Sequence, residues 1–197
     1  MASVAFRLIC GLLAAGVLGA LTHARGGIAL DSLGHAAFAA LAAVALLPPP
    51  SPQSVDDSGT PSLRALATAL PAFLFLQIVL GAATRYDHLG YLPHILGALA
   101  VSAFAYLAAI FAMMQAPGHP AIRLASIAVL VSVTLQVLLG ILALVGRITS
   151  NGSILPLVHL AAGALTLAVG VLFALQIRRH VRTPAAADLE SRSALAR

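Results

Sequence analysis

Charged residues are scarce in this sequence. Asp, Glu, Lys and Arg together make up 9% of the chain, whereas soluble domains contain about 25%, and 60% of the residues are hydrophobic. This composition argues against an ordinary soluble domain and predicts a chain that lies in a lipid bilayer. Lysine is absent, so all 11 basic residues are arginine. We attribute the net charge of +5 to membrane orientation, and nucleic acid is not an expected partner.

Cysteine pairs and strand-type alternation are also missing. Cys10 is the only cysteine, which excludes an intrachain disulfide and a metal site built on several thiolates. The apolar segments are continuous runs of Ala, Leu, Val and Gly, without the alternation of polar and apolar residues that a membrane β-barrel needs. These absences favour a helical membrane protein.

Long apolar runs occupy most of the chain instead. Each is close to the ~20 residues that a helix needs to cross a bilayer. We therefore predict an all-α fold, a polytopic bundle of six transmembrane helices in one domain (1–177), followed by a basic cytoplasmic tail (178–197). The loop 48–64 has the composition of a flexible linker. The predicted spans are 5–22, 28–47, 65–84, 91–114, 124–146 and 154–177.

The spans form three repeated hairpins, 5–47, 65–114 and 124–177, spaced by about 60 residues. Two of the hairpins share nearly identical runs, LQIVLG at 76–81 and LQVLLG at 135–140. An arginine, a proline and a histidine follow each run: Arg85, Pro93 and His94 in one hairpin, Arg147, Pro156 and His159 in the other.

Arginine positions predict the orientation. Eight arginines fall on one side of the predicted membrane, and only Arg25, Arg85 and Arg147 fall on the other. By the positive-inside rule both termini are cytoplasmic, in a multi-pass protein of a bacterial-type inner (plasma) membrane. The histidines of the repeats then lie near the outer surface.

Three histidines, His35, His94 and His159, lie near the outer start of every second predicted helix. Ionisable side chains inside a membrane are costly, so repeated ones need a partner. A haem iron held between two imidazoles explains the pattern best, and we favour His94 with His159 over His35 with His94. The competing interpretation is a polar residue hydrogen-bonded to a neighbouring helix. Zinc or copper is less favoured, because carboxylate and thiolate clusters are missing from the spans.

Other polar residues have candidate roles around such a haem. Gln77 and Gln136 would orient the ligating histidines, or would only join helices by hydrogen bonds. Arg85 and Arg147 would hold the haem propionates, or would contact lipid headgroups. Asp31, the one carboxylate within a predicted span, is a candidate for intramembrane proton chemistry, or is an ordinary acidic residue at a helix start.

Four further histidines are predicted to be solvent-exposed and without a function. His23 and His88 fall in outer loops, His119 falls in an inner turn, and His180 falls in the basic tail.

The Leu-Gln-x-x-Leu-Gly-Ala…Arg…His pattern at 76–94, with its partner at 135–159, resembles the haem A synthase family of cytochrome oxidase assembly proteins. The resemblance implies a module in which histidines on even helices bind haem b, here His94 and His159. It implies that His35 corresponds to the histidine of another family hairpin. It also implies oxidoreductase activity in haem A biosynthesis or a role in oxidase assembly, with haem O, haem A or oxidase-assembly proteins as partners.

Two other functions are compatible with the sequence. One is a bis-histidine membrane cytochrome that carries electrons to or from quinone. The other is a membrane scaffold or small-solute transporter without haem, in which the histidines only join helices.

Overall fold

The computed structural model describes residues 27–48, 52–149 and 154–183. This part of the chain is helical, as predicted, and the predicted first span, 5–22, lies outside it. Each helix is long and apolar enough to cross a membrane. The helices are α1 (Ile28–Leu46), α2 (Leu63–Arg85), α3 (Tyr91–Gln115), α4 (Pro120–Thr149) and α5 (Leu155–His180).

Local sequence explains where the helices begin. Ser62 caps α2 by accepting a hydrogen bond from the backbone N–H of Ala65 at 3.3 Å. Proline opens α4 at Pro120 and lies in the first turn of α5 at Pro156, where its missing N–H costs nothing. In the turn between α2 and α3, Asp87 adopts a positive φ of 59°.

Helices α2 to α5 form a four-helix bundle. Each of them packs against its two neighbours in the order α2, α3, α4, α5, with α5 returning to α2, so α3 and α5 are diagonal partners. Helix α1 packs against α5 and α2. We call the end that carries the α2–α3 turn the upper end, and the end that carries the α3–α4 turn the lower end. Helices α1, α3 and α5 begin at the upper end.

The close-packed core lies toward the lower end. Its large members include Leu63, Leu70, Ile122 and Phe173, and α3 contributes a face of fully buried alanines. These alanines let the helices approach closely, as small residues do in membrane bundles. They are Ala105, Ala108, Ala109 and Ala112.

The upper half of the bundle is packed less tightly. No residue is fully buried in 91–104 of α3, in 134–142 of α4 or in 155–162 of α5. Many large apolar side chains point outward along the bundle, as expected for contact with lipid. Helices α3, α4 and α5 therefore bury fewer residues toward the upper end than toward the lower end.

The lower end carries a feature that we did not predict. Two short strands, β1 (Val55–Asp56) and β2 (Val181–Arg182), pair in parallel and join the loop before α2 to the end of α5. Arg64 adds a hydrogen bond of 2.7 Å from Nη1 to the carbonyl of Val181. The predicted linker 48–64 is thus partly ordered, and α5 extends into the segment assigned to the tail. Residues 55–56 and 181–182 are so distant in the sequence that no local sequence pattern predicts their pairing.

Asp57 anchors this loop to the start of α2. Its carboxylate accepts hydrogen bonds from Ser62 Oγ at 2.7 Å, Leu63 N at 2.9 Å and Arg64 N at 3.1 Å. Burial alone would raise the pKa of Asp57, but these hydrogen bonds and the charge of Arg64 hold the pKa below its ordinary value. The ionised carboxylate therefore stabilises the folded loop.

We expect Asp57→Ala to lower the free energy of unfolding by about 1 kcal/mol, the usual effect of removing a helix cap. Because the pKa is lowered on folding, this contribution is present above pH 3.8, the ordinary value, and is lost as the pH falls below it. Thermal unfolding in detergent between pH 3 and pH 7 measures both effects.

Asp56→Ala is the matched control, because its side chain is exposed. It should leave the midpoint of unfolding nearly unchanged at every pH. Equal losses from the two substitutions would contradict the capping role of Asp57.

Candidate functional site

His94 and His159 meet at the upper end of the bundle. They lie in the first turns of the diagonal helices α3 and α5, and their ring centroids are 6.4 Å apart. The two rings are nearly perpendicular, with an angle of 80° between their planes, and both side chains are half-buried. The structure thus brings together the pair of histidines that the repeated sequence motif favours.

Each of these histidines packs against a glycine of the preceding helix. A Cβ atom on Gly81 would lie 3.0 Å from Cε1 of His94, and one on Gly140 would lie 3.0 Å from Cε1 of His159. Both distances are shorter than an ordinary van der Waals contact. The last residue of each LQxxLG run is therefore the place where the imidazole crosses close to the backbone.

A glutamine accompanies each histidine. Gln77 Nε2 lies 2.9 Å from His94 Nδ1 and donates to the His94 carbonyl at 2.8 Å, whereas Gln136 Nε2 donates to the His159 carbonyl at 3.2 Å. The two amides lie against small residues one turn deeper, Gly97 and Gly163.

Three buried polar atoms of this set have no hydrogen-bond partner. They are Oε1 of Gln77, Oε1 of Gln136 and Nδ1 of His159. Unpaired buried polar atoms are rare in folded proteins and each calls for an explanation.

His35 occupies a separate position in α1. Its Nδ1 lies 2.8 Å from the carbonyl oxygen of Asp31, and its Nε2 lies 3.3 Å from the carbonyl oxygen of Leu160, next to His159 in the chain. Both ring nitrogens point at carbonyl oxygens. His35 therefore joins α1 to the start of α5, with both ring nitrogens engaged by the protein backbone.

Asp31 and Arg85 form an ion pair beside His35. Oδ2 of Asp31 lies 3.3 Å from Nη1 of Arg85, and Oδ1 lies 3.5 Å from Nδ1 of His35. Asp31 is only 2% exposed, so its charge is balanced inside the protein. Arg147 is exposed and donates to the hydroxyl of Tyr91 at 3.0 Å. Both arginines lie at the upper end, and Arg85 has a protein carboxylate as its partner.

Our prediction that four histidines are exposed is wrong for two of them. His88 is exposed, but His119 and His180 are 3% and 1% exposed at the lower end, where their rings lie 4.6 Å apart. His23 lies outside the described residues. The docked loop before α2 covers the two buried histidines, and their own sequence neighbours carry no sign of this contact.

Within 27–48, 52–149 and 154–183, no group of three or more His, Cys, Asp or Glu side chains is arranged to hold a metal ion. Comparison with known proteins adds no assignment, since no family model, no curated protein and no solved structure matches this chain. The geometry of the site therefore carries the functional argument.

We expect Arg85→Met to destabilise the protein by up to about 3 kcal/mol, because it leaves the buried carboxylate of Asp31 without its cationic partner. This is the lower end of the range for a buried pair, since the Arg85 side chain is 28% exposed. Thermal unfolding in detergent gives the measurement.

Arg147→Met is the matched control, and it should have little effect because Arg147 is exposed. The double variant Asp31→Asn/Arg85→Met should recover part of the lost stability, since it buries no charge. Equal effects of the two arginine substitutions would refute a buried ion pair.

Proposed function

We propose that this chain is a haem b-binding integral membrane protein of the haem A synthase type, in which His94 and His159 are the axial ligands of the iron. The observation that carries the proposal is the meeting of these two imidazoles across the bundle, in matching surroundings. The proposed role is in haem A biosynthesis or cytochrome oxidase assembly.

The distance between the rings supports this assignment. Metal–imidazole bonds of about 2.0–2.1 Å put the centroids of two rings on opposite sides of one ion roughly 6–7 Å apart. The observed separation is 6.4 Å. Direct edge-to-face contact between rings spans about 4.5–7 Å, so the separation also suits a simple ring contact. The repeated surroundings of the two rings support the first interpretation.

The matching glycines and glutamines favour ligands over a simple ring contact. A bare contact between two rings requires neither Gly81 and Gly140 at the ring edges nor a glutamine beside each ring. Fewer residues of α3 and α5 are buried in the upper half of the bundle than in the lower half. A glycine and a glutamine accompany both His94 and His159.

The unpaired atoms point the same way. Iron takes the lone pair of Nε2 only when the ring proton sits on Nδ1, and that proton then needs an acceptor. In the structure both glutamines present Nε2 to the carbonyl of the adjacent histidine, so this acceptor role would require each amide to turn Oε1 toward Nδ1 and to give up that bond. Such a turn of Gln136 would give the unpaired Nδ1 of His159 an acceptor.

Haem bound here would supply a redox-active iron near the membrane surface. The residues of this chain would hold and orient it: His94 and His159 through the iron, Gln77 and Gln136 through the ligand rings. Arg147, which is exposed at the same end, is available to a propionate, whereas Arg85 already pairs with Asp31. We assign Asp31 to this ion pair first, and any proton chemistry there would involve Arg85 and His35.

Protein purified from haem-replete cells should show a haem Soret band and a reduced-minus-oxidised spectrum of haem b. His94→Ala and His159→Ala should each abolish or shift these spectra. The exposed His88 provides the matched control, since His88→Ala should leave the spectra unchanged. A colourless wild-type protein, or loss of haem from the His35→Ala variant alone, would overturn the proposed ligand pair.

Co-expression with a source of haem O, followed by pigment extraction, separates synthesis from electron transfer. Conversion of haem O to haem A supports a synthase. Haem b with unchanged haem O would instead identify a bis-histidine electron carrier built on the same ligands.

Gln77→Leu and Gln136→Leu should each lower haem affinity by about 10- to 100-fold, the usual effect of removing the group that orients a metal-ligating histidine. Haem titration of the apoprotein gives the affinity, and the reduction potential should shift with it. Gln77→Glu, which keeps an acceptor for Nδ1, should retain more affinity than Gln77→Leu. Equal affinities in all these variants would contradict an orienting role.

A further inference from the structure

The two buried histidines at the lower end form a junction between distant parts of the chain. His119 precedes the first residue of α4, and His180 is the last residue of α5. Both rings bond the same atom, the carbonyl oxygen of Gln53 in the loop before α2. The distances are 3.2 Å from Nε2 of His119 and 3.3 Å from Nδ1 of His180. One carbonyl thus holds the loop to two helices.

The other ring nitrogens define the protonation state of the pair. The backbone N–H of Ile122 donates to Nδ1 of His119 at 3.4 Å, so this nitrogen is an acceptor and the ring proton is on Nε2. His180 donates from Nδ1, and its buried Nε2 has no acceptor to which a second proton could bond. This bonding suits the neutral form of both imidazoles.

The same bonding argues against a metal ion between the rings. Two imidazoles and a carbonyl converge in a way that could suit zinc, but a metal on Nε2 of His119 would require a proton on Nδ1. That proton would face the N–H of Ile122. Metal binding at Nε2 of His119 and the hydrogen bond from Ile122 N to Nδ1 therefore exclude each other. Hydrogen bonds alone account for the geometry.

A second proton on either ring would break the junction. On His119 it would set two donors against each other, at Nδ1 and at Ile122 N. On His180 it would create a buried N–H without an acceptor, and such a group costs about 1–3 kcal/mol or more when charged. An open cavity of about 310 Å³, lined by His119, Gln53 and Gln115 among others, gives water access to His119.

The charged groups of the adjoining elements do not compensate for an added proton. Asp57, the buried carboxylate of the loop, is bonded to the start of α2. The adjoining elements also carry arginines. Arg64 bonds the carbonyl of Val181, and Arg179 bonds that of Pro48. Arg123 and Arg182 belong to α4 and β2. The described elements around each histidine also carry the exposed carboxylate of Asp56 and the ring of the other histidine. Neither imidazole bonds a carboxylate in the part of the chain that the structure describes.

We propose that His119, His180 and the Gln53 carbonyl form a proton-sensitive latch, which holds the loop 52–57 against α4 and α5 only while both imidazoles are neutral. Acidification releases the loop together with the β1–β2 pairing. The segment that opens leads directly into Asp57 and the start of α2. Haem at the opposite end is not required for this behaviour.

Hydrogen–deuterium exchange of the segment 52–57 tests the latch in the full chain. An imidazole that must be neutral in the closed form and is exposed in the open form favours the open form as the pH falls below about 6.5, the ordinary value for an exposed histidine, by up to about tenfold per pH unit for each ring. After correction for the intrinsic exchange rate, we expect exchange in this segment to rise by up to about 100-fold for the pair.

Two variants isolate the responsible atoms. His119→Asn keeps an acceptor for Ile122 N, and His180→Asn keeps a donor toward Gln53, but neither side chain titrates. The double variant His119→Asn/His180→Asn should lose the pH response, whereas exposed His88→Asn should keep it. Titration of Asp57 does not interfere, because its pKa lies below the ordinary 3.8.

Corrected exchange that is the same at pH 7.5 and pH 5.5 in the wild-type protein would overturn the proposal, even if neither asparagine variant folds. An unchanged pH response in the double variant would also overturn it. A colourless preparation with a normal latch would remove the haem assignment alone, so the two proposals fail separately.

Discussion

Ring nitrogens that lie inside an apolar bundle must find partners within the protein, because lipid provides none. This requirement explains much of the arrangement of polar groups in the described chain. His94 and His159 meet across the upper end, His119 and His180 share a carbonyl at the lower end, and His35 links α1 to α5. At Gln53 the shared carbonyl joins distant segments of the chain. One ring nitrogen remains unpaired at each end, Nδ1 of His159 at the upper end and Nε2 of His180 at the lower end.

Side-chain packing differs between the lower and upper halves of the bundle. The alanine face of α3 and the side chains of Leu63, Ile122 and Phe173 fill the lower half, where close contact between helices provides rigidity. The upper half lacks fully buried residues over long stretches of α3, α4 and α5. The two halves of the bundle thus differ in packing, and His94 and His159 lie in the half where these helices bury fewer residues.

Helix α5 connects the two regions. It begins beside His159 and ends at His180, and it contacts α1, α2 and α4 on the way. The ion pair of Asp31 with Arg85 fixes α1 to the end of α2 close to the start of α5. Any displacement of α5 along its axis would therefore disturb the polar contacts at both of its ends.

The sequence by itself determined the helical class and most helix boundaries, because long apolar runs have no other stable form in a bilayer and proline and glycine act locally. The repeated runs at 76–81 and 135–140 are also visible in the sequence, and their last residues, Gly81 and Gly140, each lie beside the histidine of the following helix. The repeat with the first hairpin extends beyond the described residues.

Only the tertiary structure decided which residues at a distance meet. Asp31 forms an ion pair with Arg85, which lies 54 positions later in the sequence. The strands β1 and β2 are separated by most of the chain and pair in parallel. We predicted that His119 and His180 are exposed to solvent, because a turn and a basic tail are usually exposed. In the structure the loop before α2 covers them through Gln53. Contacts of this kind depend on how helices pack side by side, and no local periodicity in the sequence encodes that geometry.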